Sequence, residues 1–151
     1  LSNEKNKDFE KVFNETLVLY LKNQNRDNFY NINFNNQKNL YNSISESTFN
    51  KIWLFNKSYD FEETTINKRL GFKNEGNYNS FLKDVAINNS IINGYINILE
   101  SAGDFSNSNY LIYDILKNKE SYNLKDPNIQ LIIAIDNLSI NDNLKRNEKF
   151  E

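Results

Sequence analysis

Apolar residues recur at Phe81, Val85, Ile92, Tyr95, Leu99 and Ala102, the three-and-four spacing of one helical face. Leu82, Ile87, Ile91, Ile96 and Ile98 widen that face beyond the stripe of roughly 100° that a surface helix needs. The pattern predicts a long helix over about 79–102, covered on more than one side. Asn79 or Ser80 can cap its start, and Gly103 can supply the left-handed residue that ends it. Ala86, Ser90 and Gly94 fall four apart, which predicts close approach of another helix.

Phe9, Val12, Phe13, Thr16, Leu17, Tyr20 and Leu21 predict a first helix from about Phe9 to Lys22, with Asp8 as its cap. Asn23 to Asn39 is Asn-rich. Tyr30, Ile32 and Phe34 alternate with period two, so the segment reads as an extended loop tucking aromatics against the helices, with a short strand as the alternative. Leu40–Ile44 reads as a helical turn. Ser43 with Glu46 has capping-box spacing, and Ser47 is a second cap candidate, ahead of a short helix carrying Phe49, Ile52 and Trp53. Trp53 lies in an apolar run and reads as core. Asp60 with Glu63 repeats the capping-box spacing, Lys68 and Arg69 suit a last turn, and Gly71 a C-cap. These signals predict a helix from about Phe61 to Leu70.

Ser106 opens another helix, with Phe105 and Tyr110 placed as a hydrophobic staple and Leu111, Ile112, Ile115 and Leu116 as its buried face. Asp126-Pro127 is a strong helix start, although the β-branched run after it also suits a buried strand. Asp136 falls on the exposed side of that helix. Residues 137–151 read as polar, holding one more turn around Leu144 or forming a tail. The sum is an all-α fold: one domain over 1–151, an irregular bundle of five to seven helices around the long central one, with frayed ends at about 1–8 and 140–151. No fixed repeat period is present.

Composition narrows the chemistry. Asn occurs 31 times among 151 residues, with many Ile and Lys and few Ala, Pro or Arg, the bias of an A/T-rich genome. Four Asn-x-Ser/Thr sequons are about what such a composition gives by chance, so they are not read as glycosylation sites. The net charge is −2, and no Lys/Arg stripe forms a phosphate-tracking surface, which argues against nucleic acid and an anionic membrane surface as partners. No run approaches the roughly 18 apolar residues of a membrane span.

Cys, His and Met are absent. That excludes disulfides, thiolate nucleophiles, zinc–thiolate sites and a Ser-His-Asp triad. A first residue other than Met suggests a processed or excised segment, which favours an extracellular or cell-envelope setting over the cytoplasm. No Gly-rich phosphate loop or EF-hand is present, so no cofactor and no metal site is expected. Asp104 with Asp114, and Asp136 with Asp142, are the carboxylate pairs to weigh for hydrolysis, and each residue has a simpler structural role.

The function expected is a non-catalytic protein-interaction domain, leaning away from an enzyme. Its partner would be another protein, met through the aromatics Phe29, Tyr30 and Phe34. An intracellular inhibitor or immunity-type protein is one alternative, and a carboxylate-based hydrolase is the other.

Overall fold

The structure, a computed structural model, describes residues 32–62, 64–105 and 109–149. The helix expected at Phe9–Lys22, the caps at Asp8 and Ser106, and the aromatics Phe29 and Tyr30 lie outside the described residues. Among those described, the chain forms α1 (Phe34–Ser43), α2 (Glu46–Ile52), β1 (Trp53–Asp60), β2 (Thr65–Phe72), α3 (Asn77–Ala86), α4 (Ser90–Ala102), α5 (Asn109–Lys117) and α6 (Pro127–Lys145). A short 3₁₀ turn, Lys119–Ser121, lies between the last two helices.

The fold is mixed, not all-α: six helices accompany an antiparallel hairpin of β1 and β2. The hairpin occupies the stretch expected as a helix from Phe61 to Leu70 and takes Trp53 from the end of the short helix before it, which forms as α2 with Phe49 and Ile52. In β2, Ile66, Lys68, Leu70 and Phe72 alternate with Thr65, Asn67, Arg69 and Gly71, and the pairing runs from Trp53 opposite Phe72 to Asp60 opposite Thr65. Glu63, the other half of the expected capping box, lies outside the described residues, and Asp60 serves a turn. Asp60 Oδ1 accepts the Glu62 backbone N–H at 3.0 Å, as an Asx side chain does in a tight loop, and Thr64 completes the reversal with φ 53°.

Gly71 sits next to the end of β2 and caps no helix. A Cβ there would overlap the side-chain amide of Asn56, which lies across it and reaches the Gly103 carbonyl at 3.5 Å. The capping residue between α1 and α2 is Ser45, whose hydroxyl accepts from Thr48 N–H, and not Ser43 or Ser47. The loop expected over 23–39 gives way at Phe34 to α1, capped by Asn33.

The long central helix is two helices. Asn89 accepts from the N–H groups of Ile91 and Ile92 and starts α4 afresh. Ala86 therefore ends α3 while Ser90 begins α4, and the row of small residues is not continuous. Gly94 does meet a close neighbour, the phenol of Tyr110 on α5. Gly103 ends α4 at φ 71°, its N–H on the Leu99 carbonyl, as its position predicts.

Core side chains come from both strands and from α3 to α6: Trp53, Leu70, Phe72, Leu82, Tyr95, Leu99, Leu111, Ile115 and Ile132 are all buried. Asp126 caps α6 through Asn128 N–H with Pro127 at the first position, so the helix reading prevails over the strand. The helix does not stop in the polar stretch after Asn137. It continues to Lys145 with Ser139, Asn141 and Asp142 fully buried. Among the described residues no helix is long and apolar enough to cross a membrane.

Candidate functional site: an aromatic cleft beside the outer edge of β1

The buried polar residues of α6 organise one side of the molecule. Asn141 Oδ1 accepts the Ile32 N–H at 3.2 Å, and its Nδ2 donates to Gln37 Oε1 at 2.5 Å. Gln37, itself buried, donates to the Tyr41 hydroxyl at 2.6 Å and to the Leu138 carbonyl at 2.7 Å. These bonds fix α1 on α6, because a buried amide left without partners costs about 1–3 kcal/mol. Trp53 is held likewise, its indole N–H donating to Ser139 Oγ at 2.7 Å.

At the end of α6, Arg146 lies between two rings, its guanidinium carbon 5.4 Å from the centre of Phe34 and 4.8 Å from that of Phe55. Its Nε and Nη2 hold both oxygens of Asp142, and Nη1 donates to Glu148 at 2.6 Å. Burial alone would lower the Arg146 pKa; the carboxylates of Asp142 and Glu148 outweigh it and raise it. Burial pushes Glu148 up, but Arg146 and Lys38 together hold it below the usual carboxylate range. Burial, with the charge of Asp142, raises the Tyr41 phenol well above its ordinary value.

Beside this clasp a cavity of about 480 Å³ opens between α1, α2 and the hairpin. Tyr41, Phe49 and Phe55 wall it, Arg146 and Glu148 close one side, and Lys38, Asn42 and Glu46 stand at its rim. The rings form a continuous packed series, Tyr41 to Phe49 at 5.4 Å and Phe49 to Phe55 at 5.6 Å between centroids. With every guanidinium nitrogen of Arg146 engaged within the protein, the cleft offers aromatic surface framed by Lys38, Glu46 and Asn42. That chemistry suits binding.

Phe55 leads out of the cleft along β1. The outer edge of β2 is covered: Lys68 N–H donates to the Glu148 carbonyl, Leu70 N–H to Asn143 Oδ1, and Phe72 N–H to the Gly103 carbonyl. Those three amides point away from β1, so their partners Lys57, Phe55 and Trp53 occupy non-hydrogen-bonded positions of the ladder. Their backbone groups, and by alternation those of Tyr59, point to the outer edge of β1. Trp53 N–H is taken there by the Phe49 carbonyl. No backbone hydrogen bond reaches Phe55 or Tyr59 on that edge among the described residues. Exposed apolar side chains line it: Phe55, Tyr59 and, at 83% exposure, Phe61, whose ring meets Tyr59 edge-on at 4.8 Å.

Of the aromatics expected to bind, Phe34 stands beside the cleft, half-buried, with Lys38 4.9 Å above its ring. Cleft and edge were missed because they need the hairpin; the alternation in β2 was the one signal that could have found it. Asp136, expected on the exposed side of its helix, is fully buried and accepts the Tyr95 hydroxyl at 2.8 Å; Asp142, expected in a polar tail, is buried against Arg146; and Asp114, half-buried, accepts the Tyr122 hydroxyl at 2.7 Å. Asp136 and Asp142, though on one helix, serve different partners. Comparison of the chain with family models, with curated proteins and with solved structures gave no match, so function is argued from this geometry.

Proposed function

We propose that this chain is a non-catalytic protein-interaction domain that accepts an extended segment of its partner along the outer edge of β1. The supporting observation is the contrast between the two edges of the hairpin. The β2 edge is closed by three segments of the chain, whereas backbone groups at Phe55 and Tyr59 face outward beside exposed aromatics. An added strand gains ladder hydrogen bonds from such an edge, and alternate side chains find pockets. Here the aromatic cleft around Phe49 and Phe55 is the pocket at one end, and Tyr59 with Phe61 is the apolar platform at the other.

Selection of binding peptides from a random displayed library, with the purified chain as target, tests this reading. Selected peptides should carry apolar residues at alternate positions and protect the Phe55 and Tyr59 amides from hydrogen exchange. Tyr59→Pro blocks strand addition without removing a bond to β2, because that N–H points outward. The variant should keep its thermal midpoint and lose the peptides. Peptides that bind Tyr59→Pro undiminished would refute the edge as the site. A Phe29/Tyr30/Phe34→Ala variant tests the surface expected from sequence in the same assay.

A further inference from the structure

A second cavity, of about 290 Å³, lies on the opposite face of the hairpin from Phe55. Ser58 and Arg69 reach it from the hairpin, and Ile140, Asn143 and Leu144 from the end of α6. Arg69 pairs with Asn56 across the ladder, so Ser58, two residues on, is its diagonal neighbour on the same face. Arg69 is half-buried, and its Nη1 donates to the neutral carbonyl of Asn143. Among the described residues no carboxylate pairs with the guanidinium. Arginine carries five N–H donors in a planar fork, so the edge formed by Nε and Nη2 is left for a ligand. The Ser58 hydroxyl likewise has no hydrogen-bond partner among the described residues. Asp104 also lines the cavity, but it is engaged within the protein, and no ligand contact is assigned to it.

A half-buried charge without a counter-charge is costly, because burial removes the water that would stabilise it. An anionic ligand supplies the counter-charge that the described residues do not. We propose that this cavity binds a short-chain aliphatic monocarboxylate. The carboxylate takes the Nε–Nη2 edge of Arg69 as a bidentate pair and accepts from the Ser58 hydroxyl. The alkyl chain lies along Ile140 and Leu144, which stand one turn apart on α6 as an aliphatic wall. Small-molecule sites run upward from about 300 Å³, so the volume limits the ligand to a short chain. The formal charge of Asp104 on the same cavity makes a doubly charged anion, such as a phosphate or a dicarboxylate, less favourable than a single carboxylate.

The test is titration of the ¹⁵N-labelled full chain with hexanoate, hexanamide and acetate, followed by amide shifts. Hexanoate should saturate one site and move the amides of Ser58, Arg69 and Leu144. Hexanamide has nearly the same shape without the charge and should bind at least about tenfold more weakly, the loss expected for one charge-assisted hydrogen bond. Acetate, which has no chain to cover Leu144, should also bind more weakly. Arg69→Gln keeps a donor for the Asn143 carbonyl and removes the charge, so it should weaken hexanoate by at least about tenfold. If that variant misfolds, Leu144→Ser, at a position 64% exposed, keeps the fold and should weaken hexanoate while leaving acetate unchanged. Equal binding of hexanamide or acetate, undiminished binding by Arg69→Gln, shifts confined to another surface, or no saturable binding of hexanoate would each overturn the proposal.

Discussion

Arg146 and Asp142 face each other one turn apart at the end of α6, with Nε and Nη2 at 2.6 and 2.7 Å from the two carboxylate oxygens. Their side chains are 4% and 0% exposed, so the pair is shielded from screening water. It fixes the point where the chain leaves α6, and from there Glu148 reaches both Arg146 and the edge of β2.

Breaking this pair from one side strands a buried charge. Arg146→Met should cost about 3–5 kcal/mol of stability, while Arg146→Met combined with Asp142→Leu should cost much less. Urea denaturation of the single and double variants measures the difference. Equal losses would mean that the pair is not what holds this end of α6.

Alkaline pH should unfold the protein through its buried phenols. Burial, then the charge of Asp136, raises the pKa of Tyr78 and Tyr95 well above the usual value of about 10, and burial does the same for Tyr41 and Tyr122. A raised folded pKa means that the unfolded chain releases its proton first. The stabilisation is complete below about pH 10 and declines as pH rises from there toward the folded values. Tyrosinate absorbance and helical circular dichroism, followed together above pH 10, should change in one transition. Ionisation of the buried phenols with the helix signal intact would contradict this.

Gly71→Ala should destabilise the hairpin by about 1–3 kcal/mol, because the new Cβ must displace the Asn56 amide. Asn56→Ala in the same chain should recover most of that loss. Thermal midpoints of the two single variants and the double variant form the cycle, and additivity would show that the two sites do not meet.

Asn89→Ala removes the acceptor for two N–H groups at the start of α4 and should cost about 1 kcal/mol. Hydrogen exchange at Ile91 and Ile92 should accelerate beyond the global change. Unchanged exchange would place the break between α3 and α4 in packing instead of the cap.

Sequence by itself determined the features whose causes are local. Asp126 and Pro127 announce α6, Gly103 ends α4, and the apolar spacing of Leu111, Ile112 and Ile115 sets the buried face of α5. Each depends on residues a turn or less apart. Trp53 was legible as core for the same reason, lying in an apolar run. Tertiary structure decided the rest. Asp60 and Glu62 carry chemistry that suits a helix start or a tight turn equally, and the docking of β2 between Asn143, Glu148 and Gly103 selected the turn. Asn141 and Asp142 read as a polar tail because their partners, Gln37 more than 100 residues away and an Arg146 packed between Phe34 and Phe55, appear only when the chain has closed on itself. A polar side chain is buried at little cost only when its hydrogen bonds are completed. That completion is a property of the fold, so neither the full length of α6 nor the cleft at its end could be read from local pattern.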